Sequence, residues 1–322
     1  MNLGSLYNRI ASVSPFFEIT LRNIYWRNVT KLNKFNPNRA SGKKIVKPHV
    51  DFEKVENWLR TQGVGEGSLL IVHSSYEGLE CTGLTPEQIV SRLLDLVGPT
   101  GTLCMPVIRR FKEEVKARKE RVPLTYITCK YDVKKTLVSS GMLPFVLMRN
   151  KDAHISHFPL NPLCAVGPLA KSMMEHNLDG NYPSPHGPQS AWKFCVDHHA
   201  LICSLGTNLE HHNTTIHVAE EAYSDWPWSD HDWYEFRKFE IIDENKQSQE
   251  VIVKNRKERW GKLHLAGINM NKAEKKAGVL KSDKIDDVIP VGFAEASKVI
   301  AFLRERNANG YPYYLFPWQK KK

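Results

Sequence analysis

Ser68-Leu69-Leu70-Ile71-Val72-His73-Ser74-Ser75, residues 68–75, is a short apolar run closed by polar residues, and it reads as a buried strand. On its N-terminal side, FEKVENWLRTQG (52–63) is amphipathic and stops at glycine. On its C-terminal side, TPEQIVSRLLDLVG (85–98) opens on Thr-Pro, stops again at glycine, and leads to a second buried strand in GTLCMPV (101–107). Helix, strand, helix, strand with glycine turns is the pattern of an α/β core. RRFKEEVKARKER (109–121) is a charged helical insertion with a solvated face.

Working outward, SSGMLPFVLMRN (139–150) reads as a helix, LCAVGP (163–168) as a strand, and ALICSLGTN (200–208) as a strand leading into a helix around His217. Such a strand-loop-helix step is where α/β enzymes commonly carry their chemistry. EFRKFEII (235–242) and QEVIVKN (249–255) alternate across the polar turn DENKQS, which predicts a hairpin at about 233–260. VIPVGF and AEASKVIAFLRERN close the chain as strand and helix. Residues 1–50 are a basic, irregular extension with Arg9, Arg22, Arg27, Lys31, Lys34, Arg39, Lys43, Lys44 and Lys47. Residues 51–322 form the α/β domain. The extension is expected to dock on that domain or touch an anionic membrane surface.

His217, Glu220 and Glu221 stand at i, i+3 and i+4, so a helix puts all three on one face. An imidazole held by a carboxylate can take a proton from an attacking nucleophile near neutral pH. From Phe194 to Phe236 the chain has no Lys or Arg but eight acids, although the formal net charge is +10. The basic surface suits phosphates, and the acidic stretch suits an ammonium group.

The content of 41% apolar residues fits a soluble globular protein, and the expected location is the cytoplasm. No run approaches the roughly 20 apolar residues of a membrane span. Six scattered cysteines without a Cys-x-x-Cys pair read as reduced, buried thiols. Arg60-Thr61-Gln62-Gly63-Val64-Gly65 has the form of a pyrophosphate loop but ends a helix before a strand, so it reads as a turn. His198, His199, His211, His212, His217 and His231 cluster without a metal-ligand pattern, so no metal is expected. No nucleophile elbow accompanies Ser74 and Ser75, and no nucleic-acid signature accompanies the basic charge.

Several segments, in order, resemble the aminoglycoside 3-N-acetyltransferase family. They are Leu70–Ser75 with Thr85-Pro86-Glu87 and Val97–Pro106; Tyr131-Asp132 through Ser139–Pro144; Pro159–Pro162 with Ala165–Pro168; Gly187–Trp192; and Leu205-Gly206 with Asn213–Glu220. The resemblance covers residues 51–310. It implies an α/β sandwich with a central mixed sheet flanked by helices, acyl-CoA as co-substrate, and no covalent intermediate. It further implies His217 as general base, Glu220 as its partner, and Ser74, Ser75, Ser139 and Gly141 along the pantetheine channel. Met105 is placed with that group, and Ser75 is also a candidate contact for the thioester carbonyl. Asn161, Thr214, Glu221 and Asp225 are the acceptor candidates. Antibiotic-modifying members carry Pro-Thr-His-Ser where this chain has Pro159-Leu160-Asn161-Pro162, so acceptor contacts made there are not carried over.

The expected function is therefore N-acylation of an amino sugar, with a nucleotide-linked precursor of surface polysaccharide ahead of an aminoglycoside. A non-catalytic basic binding module is the rival from another class. Sequence leaves the acyl group and the oligomeric state open.

Overall fold

The computed structural model describes residues 48–211, 213–226, 234–257 and 264–308, apart from the side chains of His211 and of 264–269. The basic extension up to Lys47, with its docking or membrane role, lies outside the described residues, as do His212 and His231.

Ten strands are described: β1 (Leu69–Ser74), β2 (Thr102–Pro106), β3 (Thr128–Asp132), β4 (His154–Ile155), β5 (Leu163–Val166), β6 (Leu201–Leu205), β7 (Tyr234–Ile242), β8 (Ser248–Arg256), β9 (Leu280–Ile285) and β10 (Ile289–Glu295). Seven of them form a mixed sheet in the order β4-β5-β2-β1-β6-β10-β9, and β3-β7-β8 form a second sheet. At the centre, β1 runs parallel to both β2 and β6, with Ser74 opposite Leu205. The outer pairs β2–β5, β4–β5, β6–β10 and β9–β10 are antiparallel. β1 and β2 are buried on both faces, which is why their sequences are continuous apolar runs with no alternation.

Two layers sandwich the sheet. The helix Pro86–Val97 starts at a reciprocal cap, Thr85 Oγ1 accepting from Gln88 N and Gln88 Oε1 from Thr85 N, which stabilises its end by about 1 kcal/mol. Its Ile89, Val90, Leu93, Leu96 and Val97 join Leu70, Val72 and Leu103 in one cluster. On the other face Ile71, Cys104 and Ile202 meet Trp192, Val196, Val299 and Leu303 from the helices Ala191–Asp197 and Ala296–Ala308. The expected sandwich and the hairpin β7–β8 are both present.

The charged insertion is a helix over Lys112–Glu120 in which Ala117 is the buried residue. Glu114 ties it to Arg237 of β7 at 2.7 Å. The 60–65 motif closes the first described helix, Phe52–Thr61, and turns at Gly63 (φ 92°) toward β1. All six cysteines are free and five are buried. Burial pushes the Cys129 thiol up to about 11 and the Cys164 thiol up to about 12, so neither presents a thiolate near neutral pH.

β3, β4, β9 and the helices Ala170–Met174, Ala191–Asp197 and His264–Lys276 carry no expectation from sequence. β3 alternates with only Cys129 and Tyr131 buried, and it becomes a strand by pairing in parallel with β7, more than a hundred residues away.

Candidate active site

The parallel pair β1 and β6 ends at one edge of the main sheet, and the candidate residues gather there. Ser75 N donates to Leu205 O at 3.0 Å, and a Cβ placed on Gly78 would fall 2.0 Å from Gly206 O. Two glycines are thus required for the loops after β1 and β6 to touch backbone to backbone. From that contact the chain continues through a 3₁₀ turn, Thr214–His217, into the short helix Val218–Glu221.

There His217 Nδ1 lies 3.1 Å from Glu220 Oε1. A carboxylate only accepts, so Nδ1 carries the hydrogen and Nε2 holds the lone pair. Glu220 is buried, while the His217 side chain is 18% exposed and so is not sealed in the interior. Glu221 turns elsewhere, against the expectation of one shared face: its carboxylate accepts from His186 N at 3.0 Å and lies 3.3 Å from His186 Nδ1. The His186 ring meets His217 edge to face at 5.1 Å, and on its far side Nε2 lies 3.4 Å from Asn161 Nδ2. Asn161 O in turn accepts from Trp192 Nε1 at 2.8 Å.

Arg256, at the end of β8, crosses over this group. Its Nη1 and Nη2 lie 2.9 and 3.0 Å from His217 Nδ1 and Nε2. The lone-pair directions of those two ring nitrogens diverge in the plane of the imidazole, so one planar guanidinium that reaches both stacks on the ring face. Nη1 also pairs with Glu220 Oε2. Burial and the adjacent guanidinium hold the His217 imidazole below its ordinary range, against the opposing pull of Glu220. Burial pushes the Glu221 carboxyl up, but His186 and Arg256 outweigh it and hold that group below the usual range. Tyr234 Oη donates to Glu220 O at 3.2 Å and closes the group from β7.

The other candidates divide. Ser74 Oγ is buried without a hydrogen-bond partner, and Gly141, at φ 108°, lies where a Cβ would be 3.8 Å from Ser74 O. Ser139 sits beside them, its N and Oγ both donating to Ile108 O. A buried hydroxyl with unused capacity beside a bare glycine backbone suits a thioester carbonyl or a pantetheine amide. Met105 is corrected: it is fully buried in the core cluster with Leu70 and Leu103, so its side chain packs. Asp225 is 3.4 Å from Arg304 on the helix Ala296–Ala308. Thr214 is half-buried in the turn before His217.

The acidic stretch around His217 is not the simple cation site expected of it, because Glu220 already faces a guanidinium. Sequence also passed over His186, and it places Trp192 within a motif without a role. His186 lies between Pro185 and Gly187 in a turn-rich segment, and its chemistry becomes visible only once Glu221 is seen to face it.

The family model for aminoglycoside 3-N-acetyltransferase matches residues 71–303, well over half of the chain. The chain belongs to the aminoglycoside 3-N-acetyltransferase family. Within it, aminoglycoside N(3)-acetyltransferase IX of Micromonospora chalcea is 26% identical over 174 residues, or 52% of this chain and 60% of that protein. The match thus spans less than two thirds of that relative's length. Among solved structures the fold is similar to aminoglycoside acetyltransferase AAC(3)-IIb, with TM-score 0.61 and 20% identity over 80% of this chain and 96% of the other. It is also similar to AAC-IIIb in its binary complex with CoASH, with TM-score 0.60 and 18% identity over 79% and 94%.

Proposed function

We propose that this chain transfers an acyl group, acetyl in the first instance, from a coenzyme A thioester to the amine of an amino-sugar acceptor of the aminoglycoside class, by direct attack with His217 as general base. The observation that carries this reading is the His217–Glu220 pair, an imidazole whose Nδ1 is tied to a buried carboxylate and whose Nε2 keeps its lone pair. Family membership supports the reaction type, and the CoASH complex of AAC-IIIb supports the donor.

The amine nitrogen attacks the thioester carbonyl carbon, forming the C–N bond. Its proton passes to His217 Nε2, the C–S bond breaks, and the departing thiolate is protonated to the free thiol. Glu220 balances the charge that develops on the imidazole. Burial and Arg256 oppose that charge and so hold the resting imidazole below its ordinary range. The buried Ser74 hydroxyl is our candidate donor to the carbonyl oxygen as negative charge gathers there. The histidine edge contact and Asn161 favour a role in holding the acceptor against the base.

A second reading has a specific observation behind it. Arg256 already engages Glu220, a carboxylate that a polycation would otherwise use, and the whole chain carries a net +10. Both favour an amino sugar that itself bears phosphate, such as a nucleotide-linked precursor of surface polysaccharide, although the comparisons support the aminoglycoside class ahead of it. Thiol release from acetyl-CoA with kanamycin-type amines and UDP-glucosamine side by side tests both. A higher kcat/KM with the aminoglycoside supports the first reading, a higher one with the nucleotide sugar the second, and release with no amino sugar rejects the function.

A further inference from the structure

The β3-β7-β8 sheet has two unlike faces. Arg237, Phe239, Ile241 and Val253 are buried against the core. The opposite face of the hairpin carries Tyr234, Phe236 and Lys238 on β7, paired across the ladder with Arg256, Lys254 and Ile252. Arg256, Lys254 and Ile252 stand two residues apart on one face, so the row runs about 13 Å outward from the His217 site.

This row is apolar and basic together. Phe236 is 50% exposed, and the Tyr182 ring, itself 52% exposed, lies beside it with centroids 4.8 Å apart. Lys254 Nζ is 3.9 Å from the Tyr234 ring, between the aromatic pair and Arg256. Lys238 is exposed one pleat further out. The acids of this face, Asp132, Glu240 and Glu250, come only toward the hairpin turn, where Glu240 pairs with Lys130 at 3.5 Å and Asp132 with Lys246 at 3.4 Å. Lys254 N donates to Pro183 O at 2.9 Å, which straps residues 182–186 along the hairpin edge. The same strap that sets Tyr182 on Phe236 delivers His186 to Glu221 and the edge of His217.

Two exposed rings flanked by lysines match a planar base joined to phosphates: every base offers a face for stacking, and each phosphate seeks a cation. We infer that this face is a nucleoside diphosphate subsite for the acceptor, with the base on Tyr182 and Phe236 and the phosphates at Lys254 and Lys238. The sugar amine then lies at the Arg256 end, toward His217. The assignment rests on the second reading above, and coenzyme A offers the same chemistry through its own adenosine phosphates.

Binding of UDP to the full chain, measured by calorimetry, tests it. UDP is expected to bind, uridine about tenfold more weakly, and Phe236→Ala and Lys254→Gln each to weaken UDP about tenfold, while Phe236→Tyr keeps it. Thermal melting of each variant confirms that the fold is retained. Absence of UDP binding, undiminished binding in both weakened variants, or displacement of UDP by CoA overturns the assignment, the last by giving the surface to the donor. Acetyl-CoA consumed with UDP-glucosamine by a protein that does not bind UDP at this face sinks the subsite alone. No thiol release from acetyl-CoA with UDP-glucosamine sinks the parent reading.

Discussion

Replacing Arg256 by glutamine removes a positive charge from the face of the imidazole and leaves Glu220 unopposed. With nitrogen contacts of 2.9 and 3.0 Å, the two charge centres are about 4 Å apart. A pair at that distance interacts by about 1 kcal/mol in bulk water and about 4 kcal/mol at an effective dielectric constant near 20. His217 is 18% exposed, between those limits, so at 1.36 kcal/mol per unit its pKa should rise by roughly one to three units. The sign is fixed: losing a neighbouring cation favours the imidazolium. The acid limb of kcat/KM, set in the parent by an imidazole held below its ordinary range, should therefore move upward by the same amount. NMR titration of the His217 ring reads the same shift without substrate, and Arg256→Lys, which keeps the charge, should stay near the parent. A His217 pKa unchanged or lowered in folded Arg256→Gln protein refutes the electrostatic argument.

Glu220→Gln keeps the shape but removes the charge that balances imidazolium, and kcat should fall by roughly 10- to 100-fold with little change in KM. Ser74→Ala deletes a buried hydroxyl without a partner, so denaturation should show stability within about 1 kcal/mol of the parent, while acetyl transfer falls roughly tenfold or more. Gly78→Ala drives a methyl to within 2.0 Å of Gly206 O, and a loss of about 3 kcal/mol or more is expected by chemical denaturation. Burial raises the Glu274 carboxyl to about 7, so its folded state favours the proton. That contribution is fully present below about 4.5 and is lost as pH rises through about 7, a change of roughly 3 kcal/mol that Glu274→Gln should remove from the stability–pH curve.

Local periodicity and punctuation made the α/β core legible. Helix Pro86–Val97 announces its cap and its stop, and β1 and β2 announce their double burial. His217 and Glu220 were legible because an i,i+3 pair needs only a helical turn. β3 was not, since its strand character is conferred by β7 more than a hundred positions later. Arg256 reaches His217 across 39 residues of sequence, and only the docking of the hairpin brings them together. For the same reason a lysine-free sequence window misled: charge neighbours are set by packing, and the cation came from another strand. Met105 illustrates the opposite limit, a motif residue next to functional ones that serves the core.

The central claim is that His217 takes the amine proton during acyl transfer. Thiol release from acetyl-CoA with an accepted amino sugar, compared between the parent and a folded His217→Ala variant that still binds CoA, tests it most directly. A loss of about 10²- to 10⁴-fold in kcat is the expected result; turnover within a few-fold of the parent contradicts it.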